Sequence, residues 1–425
     1  MNQLRLRNTN VLKYLELDED AIDLSVLKDM VDLDSIDSEL REYLSIKEMR
    51  ESGIFFTGSK LAISTVSSFR EPITFDSVVL DPTCGAGNLL IACSRQLGVE
   101  STLSQTLVKW RKVLRGYDIH QSLVDMTKLR IIVEILCRGV YKDCSIHDAL
   151  LFLDNVICRN ALTLSENELS EVTHVIFNPP FFNSPSPRKN YWKTGNVNIA
   201  GVIFDFYLRL LPLKCQVSAI LPDVLRSGTR YTDFREFVSR SLQAKCKIWG
   251  RFNLKTDVDV FVLSGTIVNN SEQDIKWYKE IEKSSKLSDR YDVRVGPLVP
   301  YRDPDEGYEY PYFYPKNCPT WGVVKMNTEV RRFKGTVLKA PFVLVKRTSS
   351  PSDKFRAAAT LVNIKGFVAV ENHMIVITPK SGKLEECKKL MKILKSQSTN
   401  NFLNDRARMR HLTVSIIKDI PISEF

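Results

Sequence analysis

Between residues 74 and 268 the chain alternates short apolar runs with helical stretches, and a polar residue stands where most of the apolar runs stop. Ser77-Val78-Val79-Leu80 stops at Asp81, the run at 113–119 carries Asp118, Cys144-Ser145-Ile146 is a short third run before Asp148, and His174-Val175-Ile176-Phe177 stops at Asn178. Apolar runs at 216–221 and 258–268 complete the set, with helical patterns from Asn88 and over 126–136 between them. Strands separated by helices predict an α/β fold, a mostly parallel sheet with helices on both faces. Ligands of such sheets bind beyond the C-terminal strand ends. Asp81, Asp118, Asp148 and Asn178 therefore become candidate site residues as a group.

Two of these strand ends carry more than a carboxylate or an amide. Asp81-Pro82-Thr83-Cys84-Gly85-Ala86-Gly87-Asn88 joins a predicted strand to a predicted helix. Its glycines permit a tight turn and close approach of a ligand to the backbone. Asn178-Pro179-Pro180-Phe181 ends the fourth run, and its prolines stop the strand and stiffen the turn. Such a turn can present the Asn178 amide oxygen and the Pro179 carbonyl as two acceptors beside the flat face of Phe181, which suits an extruded base bearing an amino group. Asp118 can grip ribose hydroxyls or cap the helix that starts near Gln121, and Asp148 can accept from an exocyclic amine or serve as a cap.

Length and charge divide the chain. Its 425 residues suggest two or three domains. The formal charge of +10 is uneven: residues 1–50 hold 7 Lys/Arg against 12 Asp/Glu, whereas residues 321–425 hold 20 against 8. The acidic first segment has helical leucine spacing and predicts a lid or packing element. Pro and Tyr crowd residues 295–321, which reads as a linker or loop. The basic last third is either a polyanion-binding module or a solvated surface. Nine cysteines without a C-x-x-C, and no apolar run long enough to span a bilayer, predict a reduced cytoplasmic protein without disulfides, metal or membrane association. The five histidines are scattered; His411 can touch phosphate or simply sit on the surface.

Together, residues 81–87 and 178–181 resemble the cofactor and catalytic motifs of S-adenosylmethionine-dependent amino-methyltransferases acting on adenine N6 of DNA. Upstream, Gly53-Ile54-Phe55-Phe56-Thr57 with Leu61-Ala62 is similar to the segment these enzymes place against the methionine end of the cofactor, although Gly58 stands where the family often has Pro. Leu344-Val345-Lys346-Arg347-Thr348, Glu371-Asn372-His373 and Arg410-His411-Leu412-Thr413 resemble recognition domains of type II gamma-class enzymes from restriction–modification systems. The resemblance covers about residues 50–425 and implies a Rossmann-like catalytic domain over 51–275 and a mixed α/β target-recognition domain over 276–425; the acidic helical extension over 1–50 has no counterpart in the family.

Further roles follow from the resemblance alone. Phe55, Thr57, Asp81, Cys84, Gly85, Gly87, Asp118, Ile119, Asp148, Ala149 and Asn178 would surround S-adenosyl-L-methionine. Asn178, Pro179 and Pro180 would orient the amine, with Phe181 and Phe252 stacking on either face of the base, although Phe261 lies near Phe252 in sequence. Arg331, Arg332, Lys334, Lys346, Arg347, Arg408, Arg410 and His411 would meet double-stranded DNA, as would Lys354, Arg356 and Arg406. A monomer and a separately acting restriction endonuclease are implied as well. An RNA or protein-glutamine amino-methyltransferase, or a modification subunit that needs a specificity partner, remains the alternative.

Overall fold

Seven strands of the first half build one sheet: β1 (Val79–Asp81), β2 (Leu114–Asp118), β3 (Val156–Cys158), β4 (His174–Phe177), β5 (Gln216–Pro222), β6 (Leu242–Arg251) and β7 (Asp259–Ile267). They belong to a computed structural model that describes residues 2–18, 21–43, 45, 48–49, 57–253, 256–280 and 285–422. The sheet order is β3-β2-β1-β4-β5-β7-β6. The first five strands are parallel, and β7 runs antiparallel between β5 and β6. Chain order reverses at β1, which lies between β2 and β4, so a ligand crevice is expected beyond the C-terminal ends of these strands. The α/β class inferred from the alternation is the class observed.

Burial on both faces explains why the strands read as continuous apolar runs. Along β4 the side chains alternate: Ile176 joins one core with Val79 and Ile220, while Val175 and Phe177 join a second core with Leu80 and Phe204. Helix α1 (Asn2–Leu15), α2 (Leu24–Val31) and α3 (Ile36–Tyr43) close the first of these faces. Val11, Leu15, Leu27 and Val31 enter the core that holds Leu129, Ile132 and Val133, while Leu4, Ile36 and Leu40 meet Leu123 and Met126. The acidic segment is thus a packing element of the first unit. Helix α4 (Ser59–Val66), α5 (Asn88–Ser94), α6 (Leu103–Val113), α7 (Gln121–Leu136) and α8 (Ile146–Phe152) continue the wound layer.

Two local expectations are corrected. The run Cys144-Ser145-Ile146 is not a strand: Ser145 is the N-cap of α8 and accepts from the Asp148 amide at 3.0 Å, a local bond that starts a helix. The third strand comes later, at Val156–Cys158. Residues 295–321 are not all linker either, because Tyr308–Phe313 pairs antiparallel with Val330–Phe333 and parallel with Phe367–Val370. Period-two alternation of tyrosines carried that strand, and the surrounding prolines masked it.

The chain divides into two compact units, Met1–Trp277 and Tyr278–Phe425. The second has a five-stranded sheet, centred on Phe342–Lys346, and a four-stranded one. Val343, Val345, Ile375 and Ile377 face helices Leu384–Lys395 and Gln397–Arg406 through Leu390, Leu394 and Leu403, whereas Leu344 and Val376 face the other way toward Phe313 and Val368. None of the nine cysteines is in a disulfide. Among the described residues no helix is long and apolar enough to cross a membrane.

Phe261 in β7 is fully buried and meets Trp277 edge-on at 6.1 Å. Phe261→Ala should destabilise the first unit by about 3–5 kcal/mol, read as an earlier unfolding transition in urea. A loss below about 1 kcal/mol would place this ring outside the load on the core.

Candidate functional site

A cavity of about 240 Å³ opens where the switch-point argument places it, beyond β1, β2, β3 and β4. Asp81 and the turn Thr83–Cys84–Gly85 line one side, Asp118, Ile119 and His120 a second, Arg159–Leu162 a third, and Thr57, Asn178 and Pro180 a fourth. The glycine turn is held from behind. Cys84 N–H donates to the Tyr117 carbonyl at 2.8 Å, and Thr127 Oγ1 donates to the Gly85 carbonyl at 2.8 Å. Gly87 caps α5 at φ +83°, and a Cβ there would meet Thr127 Cγ2 at 2.8 Å, so both conformation and space require glycine.

The carboxylates sit in poor solvation. Asp81 is 1% exposed and accepts from Thr83 N–H at 3.1 Å. Burial, reinforced by the neighbouring charge of Asp118, pushes its pKa up to about 8. Asp118 is also raised by burial, although it accepts from Gly85 N–H at 3.1 Å and His120 N–H at 2.9 Å. It therefore clamps the turn to the end of β2, while His120, not Asp118, is the N-cap residue of α7. Thr83 Oγ1 and His120 Nε2 are buried in this lining without a hydrogen-bond partner. Ile119 stays 61% exposed beside them. Two acids, two unsatisfied polar atoms and an uncovered apolar side chain in one cavity suit a ligand with a cationic end, hydroxyls and a flat apolar face.

Asn178 follows β4 directly. Its Nδ2 donates to Thr57 Oγ1 at 2.8 Å, which fixes the amide and assigns the acceptor role to Oδ1. Pro179 is buried and Pro180 lines the cavity. Phe181 and Phe252 come together from β4 and the end of β6, with ring centroids 5.5 Å apart at 86°. A base sandwiched between them needs about 7 Å between parallel planes, two van der Waals spacings. At 86° the edge of one ring meets the face of the other, so no such gap lies between them.

Some expected members lie elsewhere. Asp148 and Ala149 are on α8, outside the cavity lining; the Asp148 carboxylate accepts from Ser145 Oγ at 2.7 Å and faces solvent. The strand end that reaches the cavity is that of β3, followed by Arg159 and Asn160. Asn160 Oδ1 accepts from Leu162 N–H at 3.0 Å. Phe55 lies outside the described residues. Asn88, His120 and Asn160 were missed; the signal available for each was its position one or two residues past a glycine turn or a strand end.

In the second unit, three separated segments converge. Arg347 N–H donates to the His373 carbonyl at 3.0 Å, Leu412 N–H to the Arg347 carbonyl at 2.8 Å, and Ser349 N–H to the Arg410 carbonyl at 2.8 Å. Lys346, Arg347, His373, Arg410 and His411 therefore share one edge. Glu371, 9% exposed, accepts from Tyr312 Oη at 2.7 Å and bonds His373 Nδ1. Arg332 is exposed, Lys334 pairs with Glu306 at 2.8 Å, and Arg331 donates to the Asp303 carbonyl at 2.8 Å. Arg408 is half-buried. Arg356 is not a surface cation: it is 0% exposed and donates to Ser349 Oγ, Asn404 Oδ1 and the Ala407 and Met409 carbonyls.

No family model matches the chain, and no curated protein matches it. Solved structures do. The type IIL restriction–modification enzyme MmeI in complex with DNA is similar with a TM-score of 0.58 at 11% identity, over 92% of this chain and 70% of that one. The type IIG restriction endonuclease BpuSI gives 0.44 at 14% identity, over 86% and 58%, and the type I restriction enzyme EcoKI M protein gives 0.36 at 14%, over 64% and 69%. The chain thus spans 58% of the length of BpuSI. At 11% identity the likeness to MmeI is one of fold.

The raised pKa of Asp81 has a consequence for the ligand-free protein. The folded state binds this proton more tightly than the unfolded chain, whose Asp titrates near 3.9. Its contribution to stability is full below about pH 4 and is lost as pH rises to about 8. Asp81→Asn keeps an acceptor for Thr83 N–H and removes the titration. The melting temperature of the variant should gain on that of the unaltered protein between about pH 5 and pH 8; a difference independent of pH would contradict the burial of this carboxyl.

Proposed function

We propose that the chain is a site-specific DNA methyltransferase that moves a methyl group from S-adenosyl-L-methionine to N6 of an adenine turned out of the duplex, as a modification enzyme of a restriction–modification system. The observation that carries this reading is the single cavity in which Asp81, Asp118 and the Asn178 turn meet. Its residues fit the cofactor. An ammonium group would favour the charged form of Asp81 that burial disfavours, and hydroxyls answer Asp118 and the unsatisfied Thr83 Oγ1 and His120 Nε2. Ile119 offers an apolar face for an adenine ring, with Asn160 at the end of β3 beside it. When bound, the sulfonium supplies an already activated methyl group.

The chain's own part is then to prepare the amine. The N6 lone pair of adenine is delocalised into the ring and attacks poorly. Acceptance of its two N–H bonds by Asn178 Oδ1 and the Pro179 carbonyl draws that lone pair toward the methyl carbon. Thr57 holds Asn178 in the orientation this requires. Positioning of this kind needs no strong base, in keeping with a cavity whose one histidine, His120, contributes only an unsatisfied ring nitrogen. Phe181 and Phe252 stack on the extruded base once their edge-to-face contact has opened.

Support for DNA comes from the edge formed by Lys346, Arg347, Arg410 and His411, and from the similarity in fold to MmeI, a restriction–modification enzyme seen in complex with DNA. Cations on one edge position phosphates, and extrusion of a base costs a few kcal/mol that such contacts offset.

Incubation with labelled S-adenosyl-L-methionine and duplex DNA, RNA or protein should label DNA alone, with N6-methyladenine as the product; label only in RNA or protein would overturn the proposal. Asn178→Ala should abolish transfer and leave cofactor binding largely intact; unchanged turnover would refute its role. Arg347→Ala should weaken DNA binding and reduce the salt slope of log K by about 0.9, the value for one phosphate contact. An unchanged slope would remove this edge from the DNA surface.

A further inference from the structure

Residues 30–34 of the acidic N-terminal segment take no part in the chemistry above, yet they meet the site at its most constrained point. We propose that this segment is a positioning element of the transfer site: Asp34, with the carbonyls of Met30, Asp32 and Leu33, sets Thr57 and Asn88, and through them the Asn178 amide and the glycine turn. The inference rests on the functional reading above and extends it to a part of the chain that reading left without a role.

Three strands of contact carry it. Gly58 is the N-cap residue of α4 and has no side chain to cap with. Asp34 supplies the missing oxygen from elsewhere in the chain, its Oδ1 accepting from Ser59 N–H at 2.8 Å. A Cβ at position 58 would meet that same oxygen at 2.8 Å, so Gly58 makes room for the carboxylate. Next, Asn88 Nδ2 donates to the Leu33 carbonyl at 3.1 Å and to the Thr57 carbonyl at 2.7 Å, which ties the segment to both cofactor elements. Finally, Arg130 donates to the Met30 and Asp32 carbonyls at 2.9 and 3.3 Å, and on its other side to the Ala86 carbonyl and Asn88 Oδ1, each at 2.6 Å. Thr57 then holds Asn178 at 2.8 Å. A shift of residues 30–34 is therefore passed to the catalytic amide through two hydrogen bonds and to the glycine turn through one side chain.

Asp34 is exposed, so its replacement tests positioning without opening the core. Asp34→Ala and Asp34→Asn in the full chain are to be compared in three measurements. These are melting temperature, binding of S-adenosylhomocysteine by calorimetry, and single-turnover transfer to duplex DNA at saturating S-adenosyl-L-methionine. The alanine variant should lose about tenfold in both binding and rate, the scale of one hydrogen bond, with a melting temperature within about 3 °C. The asparagine variant, which keeps Oδ1, should restore both. Binding and rate of the alanine variant within about twofold of the unaltered protein would overturn the proposal, as would equal losses in the two variants. Failure of the unaltered protein to bind S-adenosylhomocysteine would overturn the cofactor reading and this inference with it. Binding without transfer to DNA would overturn the substrate alone and leave the calorimetric comparison decisive for Asp34.

Discussion

One buried guanidinium ties the N-terminal segment, the glycine turn and α7 of the first unit together. Arg130, 1% exposed, projects from α7 and spends its hydrogen bonds on carbonyls and one amide, with no carboxylate among the described residues bonded to it. Burial lowers its pKa to about 9, so it stays charged at neutral pH. A buried charge is tolerable only when its donors are satisfied, and removal of partners costs several kcal/mol. Glycine turn, N-terminal segment and α7 are therefore obliged to stay where Arg130 finds them. Their loop backbones, which lack a regular ladder, gain fixed acceptor positions in exchange.

On the cavity side the electrostatics run the other way. Asp81 and Asp118 are both pushed toward their neutral forms by burial, with few compensating donors. Such a pair is costly in an empty site and becomes favourable beside a cation and hydroxyls. Arg130 behind the turn and the acids in front of it give the glycine loop a rigid back and a receptive face. Site rigidity and ligand preference thus arise from the same stretch, Asp81 to Leu89, with Asp118 and the α7 contacts of Thr127 and Arg130, not from separate devices.

The second unit shows how little a cation's identity says about its use. Arg356 and Arg347 lie nine positions apart in a basic stretch. Arg356 is wholly interior and stitches the 404–409 backbone to Ser349, whereas Arg347 stands at the edge where three segments meet. Charge counting treats them alike. Burial separates them, because an interior guanidinium is consumed by the carbonyl and side-chain oxygens around it.

Much of the first unit was legible in the residues. Apolar runs ending at Asp81, Asp118 and Asn178 marked strand ends, since a strand buried on both faces must stop where a charge or an amide begins. Gly87 and the Asn-Pro-Pro turn were equally readable, each being a residue type demanded by backbone conformation. Asp148 misled because a Ser-x-x-Asp cap and a strand end look alike over four residues; the Ser145–Asp148 bonds decide for a helix. Tertiary structure alone decided the remainder. It placed Asn160 at the cavity, closed Phe181 on Phe252, sank Arg356 and brought Asp34 to the start of α4 across 25 residues. Local sequence sets propensity within a few residues, whereas these outcomes depend on which distant donors and acceptors burial forces to meet.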